Sequence, residues 1–274
     1  MRGGKMSNIF LIARITFKEC IRNRALYGIF LLGLLLFTAN IIITAMFSWE
    51  LGKVAVDVGL SVVSFSGLII IFFLSINALS NDLDRKTIYM ILSRPINRSQ
   101  YILGKYTGLG LIILLSSAIL GICAALSFKL ATAGHEAFIP MHFSWPVFFL
   151  ALTYLSLSLL VLLAISFLWV SITTHPFTAV LLSMLSYFIG QNVENVKNMI
   201  IKNQMFEDNV LLIKVTDFIS WVFPNLAAFD LKTTAAYGLP VNASYLFAVA
   251  AYGLSYIGIC LILTMMIFQR RELA

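Results

Sequence analysis

Charged residues along this chain act as boundaries: none falls between Arg24 and Glu50, between Asp57 and Asp82, or between Lys105 and Lys129. At roughly 1.5 Å of rise per helical residue, each of these stretches can cross a hydrocarbon slab of about 30 Å. The segments Phe143 to Thr174, Pro176 to Val193 and Val241 to Phe268 supply three more uncharged runs. The pattern predicts an all-α membrane protein with six transmembrane helices, at 25–49, 58–81, 106–128, 143–174, 176–193 and 241–268. An even number puts both chain ends on one side.

Composition supports this reading. Of 274 residues, 60% are hydrophobic and only 11% charged, where an ordinary soluble domain carries roughly a quarter. The net charge of +7 is then a matter of sidedness, and it is not read as a nucleic-acid footprint. Thirteen of the nineteen Lys and Arg residues lie in the N-terminal segment, the 82–105 loop and the C-terminus. Basic loops stay cytoplasmic, so N- and C-termini are both expected inside. Trp49, Trp145 and Trp221 then fall near the outer boundary and Trp169 near the inner one, where amphipathic rings prefer to sit. The first apolar run is far longer than the roughly 7–15 residues of a signal-peptide core and is read as retained.

Residues 7–24 are too charged to span. Phe10, Ala13, Phe17 and Cys20 recur at helical spacing, while Arg14, Lys18 and Arg22 form an i, i+4 stripe on another face. This predicts an elbow helix lying in the inner interface, its apolar side in the acyl boundary and its cations among headgroups. A plain membrane anchor is the simpler alternative.

The 82–105 loop also has internal order. Asp82 and Asp84 precede an apolar patch of Ile88, Ile91 and Leu92, and acids suit the positive end of a helix. Pro95 stops that helix, and Asn97 or Ser99 can cap a second one running through Tyr101 into the third span. A short apolar ridge flanked by Arg85, Lys86, Arg94 and Arg98 has the character of a docking knob. The competing account is a positively charged topology determinant that binds nothing. The 194–240 interval is too long for a structureless loop. Val210 to Phe223 is apolar but too short to cross, and it predicts short re-entrant helices in the outer leaflet.

Catalytic chemistry is poorly supported. There is no Gly-x-x-x-x-Gly-Lys-[Ser/Thr] stretch, so ATP is not expected to be hydrolysed by this chain. His135-Glu136 and His142 lack the spacing of a helical zinc site. Cys20, Cys123 and Cys260 are too scattered for a disulfide framework. The expected spans contain no Asp, Glu, Lys, Arg or His, which argues against a proton-coupled carrier. Mild polarity remains at Asn40, Thr44 and Asn77. These side chains can line a path or bond between helices. Gly104-x-x-x-Gly108 allows another helix a close approach.

At Thr16-Phe-Lys-Glu-Cys-Ile-Arg-Asn-Arg24, at Lys86-Thr87 through Leu92-Ser-Arg-Pro95 to Tyr101-Ile-Leu-Gly-Lys105, and at Arg270-Arg-Glu-Leu273, the sequence resembles the type-2 ABC exporter permeases. Phe223-Pro-Asn-Leu226 with Phe229-Asp-Leu231 adds a fourth point of likeness. Lys86 stands where many relatives have glycine. The resemblance implies one transmembrane domain over 1–274 in the plasma (bacterial inner) membrane. It also implies a coupling helix, formed by Asp82, Asp84, Arg85, Lys86, Thr87, Ile88, Ile91, Leu92, Arg94 and Pro95, that engages a separate ATPase. The implied assembly is a pair of permease chains, identical or related, in the lipid bilayer with two ATPase subunits that carry ATP and Mg. This chain itself needs no cofactor or metal. The expected activity is export of an amphipathic or lipid-like cargo; the alternative is a membrane scaffold that recruits a cytoplasmic partner and transports nothing.

Overall fold

The computed structural model describes residues 3–46, 51–84, 97–132, 143–202 and 210–270, and every element among them is helical. In chain order these are α1 (Gly3–Ile21), α2 (Arg24–Met46), α3 (Leu51–Ile69), a π-helical turn (Ile70–Ser75), α4 (Ile76–Asp84) and α5 (Arg98–Thr132). They are followed by α6 (Trp145–Ile172), α7 (Pro176–Lys202), α8 (Val210–Val222), a 3₁₀ turn (Ala227–Phe229), α9 (Lys232–Tyr237) and α10 (Ala243–Arg270).

Local chemistry sets the boundaries. Asn23 breaks α1 from α2: its N–H donates to the Cys20 carbonyl at 3.0 Å while its own carbonyl accepts from Leu26 at 3.1 Å, a turn that suits asparagine. The helices Asn8–Ile21 and Leu26–Ile42 are bent by 60° across this break. Pro146 sits in the first turn of α6, where its missing N–H costs nothing. Extended backbone at Thr173 ends α6, and Pro176 opens α7. Gly238, at φ 64°, closes α9 in the left-handed conformation that glycine adopts without strain.

α6 is the central post, packed against α3, α4, α5, α7, α9 and α10. Val161, Leu163 and Ala164 are wholly buried along it. α10 is peripheral and shows Phe247, Leu254, Ile259 and Met266 to the outside. α1 packs on α5, α2 on α3 and α5, and α8 on α7. α5 and α6 run antiparallel: Tyr106, near the start of α5, donates to the Leu160 carbonyl at 3.1 Å and meets the Phe167 ring edge-on. At their other ends Phe128 stacks on Phe143 at 4.5 Å.

Four described helices are long and apolar enough to cross a membrane, at Gly52–Ser80, Arg98–Leu130, Trp145–Ile172 and Ala243–Arg270; the bent pair makes a fifth if it counts as one span. Among the described residues, four or five of the six spans read from sequence meet this length and composition. The stretch 176–193 does not stop at its expected boundary but runs on to Lys202 as one helix. Gln191, Asn192, Glu194 and Lys197 in its second half dilute the apolar character. Several helices also extend past the expected uncharged runs, so Lys53, Asp57, Arg98, Lys105 and Lys129 sit in helical ends.

Candidate coupling and permeation elements

The start of α5 is where the chain's distant parts meet. Asn97 precedes its first helical residue, and the Asn97 N–H donates to Gln100 Oε1 at 3.2 Å, one half of a capping box. One turn of helix then reaches the end of α10. Arg98 donates through Nη1 to the carbonyls of Phe268 at 3.1 Å and Gln269 at 3.2 Å. Gln269 Nε2 donates to Ser99 Oγ at 3.1 Å, and Tyr101 stacks on Phe268 with ring centres 6.2 Å apart. A guanidinium at the carbonyl end of a helix satisfies groups that have no partner within the helix and complements the macrodipole.

The next turn of α5 receives α1. A methyl group added at Gly104 would lie 2.7 Å from Ile12 Cβ, and one at Gly108 would lie 2.8 Å from the Ala13 carbonyl oxygen and 2.8 Å from Thr16 Cβ. The close approach expected of Gly104-x-x-x-Gly108 is real, and its occupant is the chain's own first helix. Between the glycines Lys105 is only 4% exposed, with its ammonium 3.9 Å from the Glu19 carboxylate. We call this the elbow end of the bundle; the opposite end is the far end.

The elbow helix divides its small and its large apolar residues between two surfaces. The buried face of α1 is Ile12, Ala13, Thr16 and Cys20, while Phe10 is 71% exposed. Small residues win the contact because the glycines bring the backbones together, and a phenylalanine does not fit there. Phe17 is half-buried; Arg14, Lys18 and Arg22 are exposed as one stripe.

The other expected site residues are dispersed. Asp82 and Asp84 lie in the last described turn of α4, which continues the second span. Arg85, Lys86, Thr87, Ile88, Ile91, Leu92, Arg94 and Pro95 lie outside the described residues, as do His135, Glu136 and His142. Asn40 is buried and donates to the Ala55 carbonyl and to Ser127 Oγ, each at 3.3 Å, so it joins α2, α3 and α5. Thr44 belongs to α2, with its side chain outside the described set. Asn77 is exposed and bonds one turn back to the Phe73 carbonyl at 2.7 Å, across the end of the π-helical turn. The structure therefore does not bring Asn40 and Asn77 to one surface. Among the described residues no cluster of His, Cys, Asp and Glu could hold a metal.

At the far end a polar network escaped the sequence reading. Asn225 Nδ2 donates to Glu194, the Leu226 N–H donates to the Gly190 carbonyl at 2.9 Å, and the Asn225 N–H donates to the Tyr252 hydroxyl at 3.0 Å. Tyr256 donates to the Val222 carbonyl at 2.8 Å and Tyr245 to the Ala228 carbonyl at 3.1 Å. Beneath lies a crevice lined by Ser64, Ser158, Tyr187, Gln191, Asp230 and Lys232, with ≈ 20 Å³ of free space, enough for about one water molecule. Two signals pointed here: the Phe223-Pro-Asn-Leu226 run, and tyrosines at 245, 252 and 256 on one side of α10.

These features, a bundle of apolar helices in which the start of α5 is fastened to both the first and the last helix, agree with what the chain is similar to. Residues 10–273 match the model of the ABC-2 family transporter proteins. A probable ABC transporter permease protein NosY from Stutzerimonas stutzeri is 31% identical over 135 residues, covering 48% of this chain and 49% of the relative. The match thus spans about half the length of that relative. With nearly its whole length matched, the chain belongs to the ABC-2 transporter family and is an integral membrane protein of permease type.

Proposed function

We propose that this chain is the membrane subunit of an ATP-driven exporter. Two such chains, identical or related, would form the path with six spans each, and two separate ATPase subunits with ATP and Mg would bind their cytoplasmic side. Both termini would lie inside, at the bacterial inner membrane, and the cargo would be amphipathic or lipid-like. The reading is carried by one observation: Arg98 to Gly108, the exit of the 82–105 loop, is bonded to the end of α10 on one side and to α1 on the other. A push on the loop would therefore move the elbow helix, the third span and the last span together, as rigid-body switching requires. Asp82, Asp84 and the residues through Pro95 would be the surface that the ATPase grips. Asn40, bonded within the bundle, is better suited to fixing helix positions, and Asn77 and Thr44 remain the candidates for the path.

Co-expression with an ATPase encoded in a neighbouring reading frame tests this. Ile91→Asp should abolish co-purification of the ATPase while leaving helix content unchanged, and liposomes holding both chains should show vanadate-sensitive turnover. An Ile91→Asp chain that still retains its ATPase would overturn the coupling role. Firm ATPase binding with no vanadate-sensitive transport would favour a recruiting scaffold instead.

A further inference from the structure

α1 does not fill the surface on which it lies. Beside its glycine contacts an open groove of ≈ 560 Å³ runs between α1 and α5, walled by Ile9, Phe10, Ala13 and Phe17 on one side and Thr107 and Leu111 on the other. That volume falls within the roughly 300–1,000 Å³ of ligand pockets. Apart from the Thr107 hydroxyl, which bonds back to the Leu103 and Gly104 carbonyls of its own helix at 2.8 and 3.0 Å, the wall is apolar. Arg14 is the one charged residue that lines it. Lys18 follows one turn later on the same face, and neither makes an ion pair among the described residues. The nearby carboxylate, Glu19, is directed at Lys105 instead.

The depth of the groove identifies its occupant. The 35 residues of α5 rise about 52 Å, well beyond a hydrocarbon core of roughly 30 Å. The uncharged stretch begins only after Lys105. Thr107 is therefore at the level where the helix enters the apolar layer, and Leu111 is one turn deeper. A ligand here would have its charged end at Arg14 and Lys18 and its apolar tail along Leu111, where the outer face of α5 continues with exposed Leu114 and Leu115. We propose that the groove holds one anionic phospholipid, its phosphate on Arg14 and Lys18 and one acyl chain between α1 and α5. The lipid would act as a fixed wedge that sets the angle of α1. The proposal does not depend on what the protein transports.

The test uses the purified chain equilibrated with equal parts phosphatidylglycerol and phosphatidylcholine, followed by counting of retained lipids by native mass spectrometry. The wild type should keep phosphatidylglycerol in preference to phosphatidylcholine. Arg14→Gln and Lys18→Gln should each lower that preference about fivefold, and Arg14→Lys should restore most of it. Thr107→Phe, which fills the groove and leaves the cations, should displace the lipid, with far-UV circular dichroism checking the fold. Equal retention of the two lipids, or retention unchanged in these variants, would overturn the proposal. So would protection of Arg14 and Phe10 by a second copy of the chain in place of a lipid.

Discussion

The two ends of the bundle are fastened by different chemistry over different reaches of the chain. At the elbow end Arg98 caps a helix that closes 170 residues later, and Gly104 and Gly108 take in the backbone of α1. Charged donors and direct backbone contact dominate there, and they join α1, α5 and α10. At the far end Glu194, Asn225, Tyr245, Tyr252 and Tyr256 bond mainly to one another's neighbourhood within the last third of the chain. The donors are neutral phenols and amides. The elbow end thus ties distant parts of the chain into one body, and the far end ties neighbouring segments into a local cap.

The largest effect should come from the glycine contact. Gly108→Leu must push α1 off α5, because the added carbons meet the Ala13 carbonyl, which cannot rotate away. Overpacking of this kind costs about 1–3 kcal/mol. Unfolding in detergent titrations should shift by that amount, and a disulfide engineered between α1 and α5 should no longer form. A variant as stable as wild type, with α1 still cross-linked, would show that the elbow is not held by this contact.

Arg98→Ala comes next. It strips two carbonyl acceptors at the end of α10 of their donor, a loss of about 0.3–2 kcal/mol. Its signature is local: amides around Phe268 should exchange faster while the far-end amides keep their protection. Uniform loss of protection would mean that the two ends are not separate units. Tyr256→Phe should do less. It removes one bond, to the Val222 carbonyl, and interhelical bonds in membrane proteins average about 0.6 kcal/mol. Exchange should quicken at α8 alone.

How much of this was readable in the sequence follows from the same contrast. The absence of charge from Asp57 to Asp82 and from Lys105 to Lys129 located two spans, because a bilayer penalises charge regardless of what packs where. Gly104-x-x-x-Gly108 announced a close approach, since removing two side chains on one face has few other uses. Its partner was not legible: spacing says that a helix comes near, and only tertiary packing decides which. The same gap holds for the elbow stripe, where spacing alone does not separate Phe10, which faces outward, from Ala13, which packs on α5. Asn40 has two roles open to it in the sequence because an amide in a span serves either, and the choice depends on Ser127, 87 positions away. The far-end tyrosines were the hardest to read. Tyr245 and Tyr256 donate to backbone carbonyls and Tyr252 accepts from a backbone N–H, groups that nearly every residue has, so the tyrosines' spacing shows in the sequence but their partners do not.

The smallest effect is the control that gives the comparison its meaning. Gly258 lies in the middle of α10 and a methyl group there meets nothing within 4 Å, whereas one at Gly253, little more than a turn away, meets the Phe229 ring at 2.8 Å. Gly258→Leu should therefore be neutral or slightly stabilising, because leucine has the better helix propensity by under about 1 kcal/mol and the added side chain gains lipid contact. If it leaves stability untouched yet abolishes transport, the surface at Gly258 meets something other than lipid in the working assembly. A second permease chain would be the first candidate, since the neighbouring Leu254 and Ile262 present the same outward face. Indifference in both measurements would leave that face to the bilayer and confine the functional contacts of α10 to its two ends.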